Sequence, residues 1–324
     1  MNAIVARAGF LTSVQDLGRT GFRQFGVSTS GALDSFALRV ANVLVGNDQG
    51  AAGLEITLGG LQLRFESERI VAWCGGEFDV HIESGLLPPG HVAHLQAGNE
   101  LKLGRAETGC RCWLAISGGI DVPAVLGSRS TDLRGNFGGF EGRALRDGDV
   151  LALRTWARSP PPATGISSWT APHDWASPAS RYPNLRFIRG VDWSRFNDST
   201  IQRFTGNEFR VSPDSDRMGV RLNGPELKRQ EETDLISEAV APGTIQVPPS
   251  PDLSGILLLG DCQTIGGYPK IAHVITVDLG VAAQLRAGDA VRFVEVSLPD
   301  AHRLFVERER DFERFRIGLS LQRS

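Results

Sequence analysis

The feature that most constrains this chain is a short unit that occurs three times: Leu95-Gln-Ala-Gly98-Asn99-Glu-Leu101-Lys-Leu103, Leu145-Arg-Asp-Gly148-Asp149-Val-Leu151-Ala-Leu153 and Leu285-Arg-Ala-Gly288-Asp289-Ala-Val291-Arg-Phe293. Each is a glycine turn followed by residues that alternate with period two, the pattern of a half-buried strand. The second and third copies close two halves of the chain at similar places. Two related β-domains would produce this, and so would the turn-and-strand habit of any β-protein. With 38 glycines and 17 prolines in 324 residues, turns are dense enough to favour β architecture over helix bundles.

The length exceeds the ~100–200 residues of a typical domain, so two are expected. Residues 156–180, rich in Pro, Ser and Ala and without a sustained period, read as a linker. Trp156, Trp169 and Trp175 suggest that it packs over a neighbouring surface. The expected organisation is an N-terminal β lobe (1–155), this linker, a C-terminal β lobe (181–298) and a C-terminal helix (299–324). Strands are expected at Leu54–Phe65, Ile70–Trp73, Cys110–Ile116, Leu185–Ile188 and His273–Val277. A helix is expected from about Asp34 to Val45, with Phe36, Val40 and Val43/Leu44 on one face and Gly46-Asn47 as the stop. A second runs from about Pro299 to Arg316, with Leu304, Phe305, Phe312 and Phe315 as its apolar stripe.

Several functions are excluded by missing residues. A net charge of −3 and the lack of any basic run interleaved with aromatics argue against a nucleic-acid partner. No Gly-Lys dipeptide exists for a Walker-type phosphate loop, and no Met-Lys-Met for biotin attachment. Of the histidines only His91 and His94 are close, with no His-Glu-x-x-His or Cys-x-x-Cys beside them, so no metal is expected. Cys110 and Cys112 read as core thiols on one strand face. The N-terminus lacks the features of a signal peptide and no apolar run approaches ~18 residues, so a cytoplasmic place is expected, with no membrane partner.

Four stretches have the composition of a site. Thr12 to Asp34 carries Asp16, Arg19, Ser30 and Gly31 in a glycine-rich loop that enters the first helix. Its backbone amides suit an anionic or carbonyl oxygen, or Asp16 pairs with Arg19 and either Asp34 or Ser30 simply caps the helix. Gly127 to Arg143 places hydroxyls, Asp132 and three arginines in a glycine-rich loop, either a ligand-closing segment or a solvated one. Ser215-Asp216-Arg217-Met218-Gly219 offers an Asp-Arg pair that orients a planar amide or carboxylate, or a turn held by a salt bridge. Asp261 to Lys270 follows the apolar run Gly255–Gly260 and delivers Gln263, Thr264, Gly266, Gly267, Tyr268 and Pro269 to one rim of a sheet. There, donors and a ring surround glycines that permit close approach of a flat ligand.

Val14-Gln-Asp-Leu-Gly-Arg19 with Ser30-Gly-Ala-Leu-Asp34, Leu54-Glu-Ile-Thr-Leu-Gly-Gly60, Ser215–Gly219, Gln263-Thr-Ile-Gly-Gly-Tyr-Pro269 and Ala283–Asp289, in this order, resemble the biotin-dependent carboxyltransferase family. The family is also called allophanate hydrolase subunit 2-like, and its members include the C-subunit proteins of 5-oxoprolinase. The resemblance implies a mostly β, cyclophilin-like β-barrel fold in two lobes, with few short helices. It implies a subunit of an ATP-dependent 5-oxoprolinase complex that opens 5-oxoproline to L-glutamate with an A-like partner and a B-like (allophanate hydrolase subunit 1-like) partner. The alternatives it implies are transfer of CO₂ from carboxybiotin to a urea-like acceptor, biotin entering only there, and a regulatory protein that antagonises a kinase inhibitor. Asp216 and Arg217 are then the catalytic candidates. Ser30, Gly31, Asp34, Asp132, Met218, Gln263, Thr264, Gly266, Gly267, Tyr268 and Pro269 are the substrate-binding candidates. The sequence departs from the family's pattern at Ile265, where a threonine is expected, and at Thr29, where proline is common.

Overall fold

The computed structural model describes residues 1–156, 165–230, 235–250 and 252–322. The protein is mostly β and divides into two compact units. The first comprises Met1–Thr20, Ser30–Ala179 and Arg316–Ser324, the second Gly21–Thr29 and Ser180–Phe315.

In the first unit the strands are β1 (Asn2–Ala8), β2 (Leu11–Gln15), β3 (Gly53–Thr57), β4 (Leu61–Phe65), β5 (Arg69–Ile82), β6 (Gly85–Leu86), β7 (His91–Leu95), β8 (Glu100–Ile116), β9 (Val150–Ala152) and β10 (Gly165–Thr170). They form an antiparallel sheet in the order β10-β7-β5-β8-β4-β1-β9, with β2 on β3, β3 on β8 and β6 on β5. Alternation along β4 and the first half of β8 sends Leu61, Leu63, Leu101 and Leu103 into a core with Val5, Ile56, Trp73 and Leu114. The second half of β8 is buried throughout because helix α1 (Ser35–Val45) lies against β5 and β8. Cys110 and Cys112 are buried free thiols, as the alternation predicts.

The expected strand Leu54–Phe65 is two strands. Leu58, Gly59 and Gly60 all have positive φ (58°, 91° and 89°), and a Cβ on Gly59 would collide with the carbonyl oxygen of Gly104. The turn is therefore obligatory, and the apolar run continues across it. Residues 157–164 of the expected linker lie outside the described residues. Beyond them, β10 pairs with β7, helix α2 (His173–Ala176) follows, and Trp175 meets Phe36 edge to face at 5.2 Å.

The second unit contains β11 (Asn184–Arg189), β12 (Phe209–Val211), β13 (Gly219–Asn223), β14 (Glu238–Ala239), β15 (Thr244–Gln246), β16 (Gly255–Leu258), β17 (Ile265–Gly266), β18 (Lys270–Val274) and β19 (Ala290–Glu295). Seven of these close a barrel in the order β11-β18-β15-β16-β13-β12-β19, and β14 pairs with β17 outside it. Phe187, Phe204, Phe209 and Phe293 fill one part of the barrel core, with Phe204 and Phe293 stacked at 4.8 Å. Phe204 comes from helix α3 (Asp198–Gly206), which Asn197 caps by accepting a bond from Thr200 N. The strand expected at His273–Val277 ends at Val274, because Thr276–Asp278 turns into a 3₁₀ segment. Its Asp278 takes the backbone amide and guanidinium of Arg186. Helix α4 (Leu279–Ala282) follows. The C-terminal helix α5 runs Leu298–Gln322, matching the expected 299–324 segment and passing Arg316, where its apolar stripe was expected to end; of that stripe Phe312 is buried whereas Phe305 is 41% exposed.

The threefold unit is one turn built three times. Gly98, Gly148 and Gly288 all have φ near 90° (90°, 87° and 89°). The next side chain reaches back to the amide three residues earlier: Asn99 to Gln96, Asp149 to Arg146, Asp289 to Arg286. Each turn also exchanges two backbone bonds with one residue of a neighbouring segment, Phe65, Val5 and Val211 respectively. At Asp149 the Arg143 guanidinium adds two bonds (2.7 and 3.0 Å) and holds the carboxyl below its usual range. Because the folded pKa is the lower one, this stabilisation is present above the unfolded value of ~3.9 and is lost as pH falls through the folded value. Acid unfolding of Asp149→Asn, followed by circular dichroism, should lose that leg of the pH dependence; a profile parallel to the parent's would contradict the assignment.

Candidate functional site

The sequence-predicted residues fall into two clusters, one in each unit. In the first unit, Asp16 is 7% exposed and its carboxylate accepts four bonds: Ser128 Oγ (2.6 Å), Ser130 Oγ (2.5 Å), Arg129 N (2.6 Å) and Gly18 N (2.8 Å). Arg19 donates to Ser130 O at 2.5 Å, and its guanidinium lies 4.7 Å over the Phe137 ring. Ser30 and Gly31 both adopt positive φ (51° and 83°), and a Cβ on Gly31 would come within 2.8 Å of Gly18 N, so two loops meet backbone to backbone. Asp34 accepts from Ala37 N and caps α1. Asp132 accepts from Arg134 N and Gly135 N and closes a tight turn. The glycine-rich loops are thus interlocked: the bonds described for Asp16, Asp34 and Asp132 all build the scaffold.

In the second unit, Arg217 grips Asp261 through Nε (2.8 Å) and Nη2 (3.2 Å), both side chains 6% exposed. Asp216 accepts from Met218 N and Gly219 N. These bonds fix the start of β13 beside the segment that leaves β16, where Leu259 N donates to Met218 O.

That segment continues into the rim. Ile265 and Gly266 form β17, paired with Ala239 and Glu238 of β14. Arg23, in a short 3₁₀ segment, donates Nη2 to the backbone oxygens of Val240 (2.6 Å) and Gln263 (3.0 Å) and thereby clamps both strands of the ribbon. Lys270 is buried at the start of β18, and its Nζ meets Asp192 (3.3 Å) and Glu238 (3.0 Å). Gln246 of β15 is fully buried and bonds both Gln263 and the Tyr268 carbonyl. Gln263, Thr264, Gly266 and Gly267 are half-buried, while Ile265 and Tyr268 project, Tyr268 being 45% exposed. The result is a stiffly held loop that presents an amide, a hydroxyl, a phenol ring and side-chain-free backbone together. Groups of these kinds are chemically suited to hydrogen bonds and ring contact with a small, flat, polar molecule.

Sequence reasoning missed Gln246, Asp192 and Glu238 as parts of this rim, and it gave no role to Arg23 and Lys270, which lie in the first and fourth of its stretches. Gln246 left one signal, a lone amide inside the apolar run Ile245-Gln246-Val247. Burial pushes the Cys262 thiol up, an effect opposed by Arg23, and pushes His273 down. Among the described residues no three His, Cys, Asp or Glu side chains are grouped to hold a metal, and no helix is long and apolar enough to cross a membrane.

The chain, with a closed barrel in one unit and an antiparallel sheet in the other, belongs to the family described as carboxyltransferase domain, subdomains A and B, whose model matches residues 25–295. It is 40% identical to the 5-oxoprolinase C subunit of Escherichia coli (strain K12) over 309 residues, covering 95% of this chain and 96% of that protein. It is 30% identical to the urea amidolyase of Saccharomyces cerevisiae, covering 91% of this chain and 17% of that protein. The crystal structure of the K. lactis urea amidolyase superposes with a TM-score of 0.89 at 32% identity, over 97% of this chain and 20% of that one. The chain therefore spans about a fifth of these urea amidolyases.

Proposed function

We propose that this chain is one subunit of an ATP-dependent 5-oxoprolinase-type complex that opens 5-oxoproline to L-glutamate with A-like and B-like partners in the cytoplasm. The observation that carries this reading is the 40% identity with a 5-oxoprolinase C subunit over nearly the full length of both proteins. The rim supports it chemically. Gln263, Thr264 and Tyr268 offer hydrogen bonds and a ring to a planar lactam, and Gly266 and Gly267 let it approach the backbone. Pro269, next to Tyr268, is buried, and its carbonyl accepts from Val247 N. Asp216, Arg217 and Met218 enter this reading as positioning residues, through the Arg217–Asp261 pair and the turn at 216–219. Ser30, Gly31, Asp34 and Asp132 order the loops of the first unit.

Ring opening adds water across the amide bond and is driven by ATP hydrolysis. The contribution of this chain is to hold the lactam still and to stabilise charge developing on its oxygen. Its sequence lacks the Gly-Lys of a Walker-type loop, so ATP is assigned to the complex and to no residue here.

A second reading, carboxyltransfer to a urea-like acceptor, is favoured by the likeness to the K. lactis urea carboxylase, TM-score 0.89. The ureido ring of biotin carries the same planar N–C=O unit and fits the same rim. In that reading biotin supplies the carried CO₂ and comes on another chain.

The test is glutamate formation from 5-oxoproline and ATP by this chain mixed with its purified A-like and B-like partners, each omitted in turn. Glutamate that disappears whenever this chain is omitted is the expected result. A stable complex that forms no glutamate refutes the reading and moves the assignment to carboxyltransfer or regulation.

A further inference from the structure

Gln246 makes two bonds, and together they determine which way a second amide faces. Its Nε2 lies 3.3 Å from Tyr268 O. A backbone carbonyl only accepts, so the atom facing it must be the NH₂ group. The remaining atom, Oε1, is an acceptor and lies 3.1 Å from the end of Gln263. The Gln263 atom that meets it must therefore be Nε2. This turns Gln263 Oε1 away from Gln246, and no hydrogen bond from the described residues reaches it on this half-buried side chain. The main chain of Gln263 is held at the same time by Arg23. Gly266 completes the arrangement, because a Cβ there would lie 2.7 Å from Gln246 Nε2 and 3.4 Å from Gln263 Nε2, so only glycine leaves room for the amide pair.

We infer that Gln246 is a positioning residue that locks the Gln263 amide with Nε2 inward and Oε1 outward, so that this rim selects ligands that donate an N–H group. This rests on the reading of the rim as the lactam site. A lactam or ureide nitrogen with its hydrogen satisfies the outward oxygen. An ester-type ring, which has an acceptor at that position, sets two oxygens against each other. A site built around a ligand N–H rejects the analogue that lacks it far more strongly than it rejects a change of size.

Two experiments separate the orientation from the ligand. In the full chain alone, Gln263→Glu keeps the shape but places a carboxylate oxygen against Gln246 Oε1, whereas Gln263→Met merely removes the bond. The expected result at neutral pH is a melting temperature lower for Gln263→Glu than for Gln263→Met, by about 3 °C or more. The introduced carboxyl has a folded pKa above its unfolded value. Its contribution is therefore favourable below the unfolded pKa and is lost as pH rises, so the deficit of Gln263→Glu should close on acidification to pH 4. Gln263→Glu matching the parent at neutral pH would reverse the orientation and overturn the inference.

In the assembled complex, 5-oxoproline is compared with its ring-oxygen analogue, 5-oxotetrahydrofuran-2-carboxylate, as competing ligands. The lactone should bind at least about tenfold more weakly. Gln263→Met and Gln246→Met should bring the two to near parity, a selectivity change that loss of stability alone does not produce. Equal binding of both probes to the parent complex overturns the inference. Failure of an assembled complex to bind 5-oxoproline at all overturns the proposed function instead, and the melting comparison then still decides the orientation.

Discussion

Replacing Asp16 with alanine should lower the melting temperature of this chain by about 10 °C, measured by scanning calorimetry. The carboxylate accepts four bonds between 2.5 and 2.8 Å in a site only 7% exposed. Bonds to a charged acceptor contribute about 1.5–3 kcal/mol each, and two of the donors are backbone amides that alanine leaves without this partner. Entering water and loop adjustment recover part of the loss, leaving a net cost of about 4 kcal/mol. For a protein of this size each kcal/mol moves the midpoint by roughly 2–4 °C. Asp16→Asn keeps the volume and one acceptor oxygen, so about half of the loss is expected. A shift below about 2 °C for alanine would show that the two loops of the first unit are held by something other than this carboxylate.

The second large effect is expected at the Arg217–Asp261 pair. Removing one partner of a buried ion pair takes from the other charge the bonds that offset its desolvation, at a cost of about 3–5 kcal/mol. Arg217→Met should therefore destabilise the chain strongly in urea unfolding, whereas Arg217→Met combined with Asp261→Asn should recover most of the loss. The two side chains are joined by bonds of 2.8 and 3.2 Å and are equally buried, which is why the double substitution is informative. Additive losses in the double variant would mean that the two residues act independently.

Local chemistry was legible in the sequence. Helix α1 stops at Gly46 as expected, and of the two cap candidates that the sequence offers, Asp34 and Ser30, it is Asp34 that caps it. The threefold glycine unit reads correctly as a turn entering a strand, because the glycine and the side-chain bond that closes the turn lie within four residues. Features that depend on distant partners were not legible. Arg23 clamps Val240 across 217 residues and Gln263 across 240, and no spacing rule reports such a contact. Arg217 was visible beside Asp216, yet its described carboxylate partner is Asp261, 44 residues away. The strand expected over Leu54–Phe65 failed for a different reason. The apolar pattern continues through Leu58, but the close approach of the Gly104 carbonyl that requires Gly59 is a tertiary fact. Composition alone thus singled out Gln263–Pro269 but not the buried Gln246 bonded to it.

A rim that serves as the substrate site must touch the reacting molecule, and Tyr268→Ala tests this most directly. Tyr268 is 45% exposed, so its removal should leave folding and formation of the complex intact. Steady-state glutamate formation by the complex carrying Tyr268→Ala should show kcat/KM lowered by roughly 10–100-fold, with the complex eluting unchanged on size exclusion. An unchanged kcat/KM in an intact complex would contradict the assignment of this rim as the substrate site.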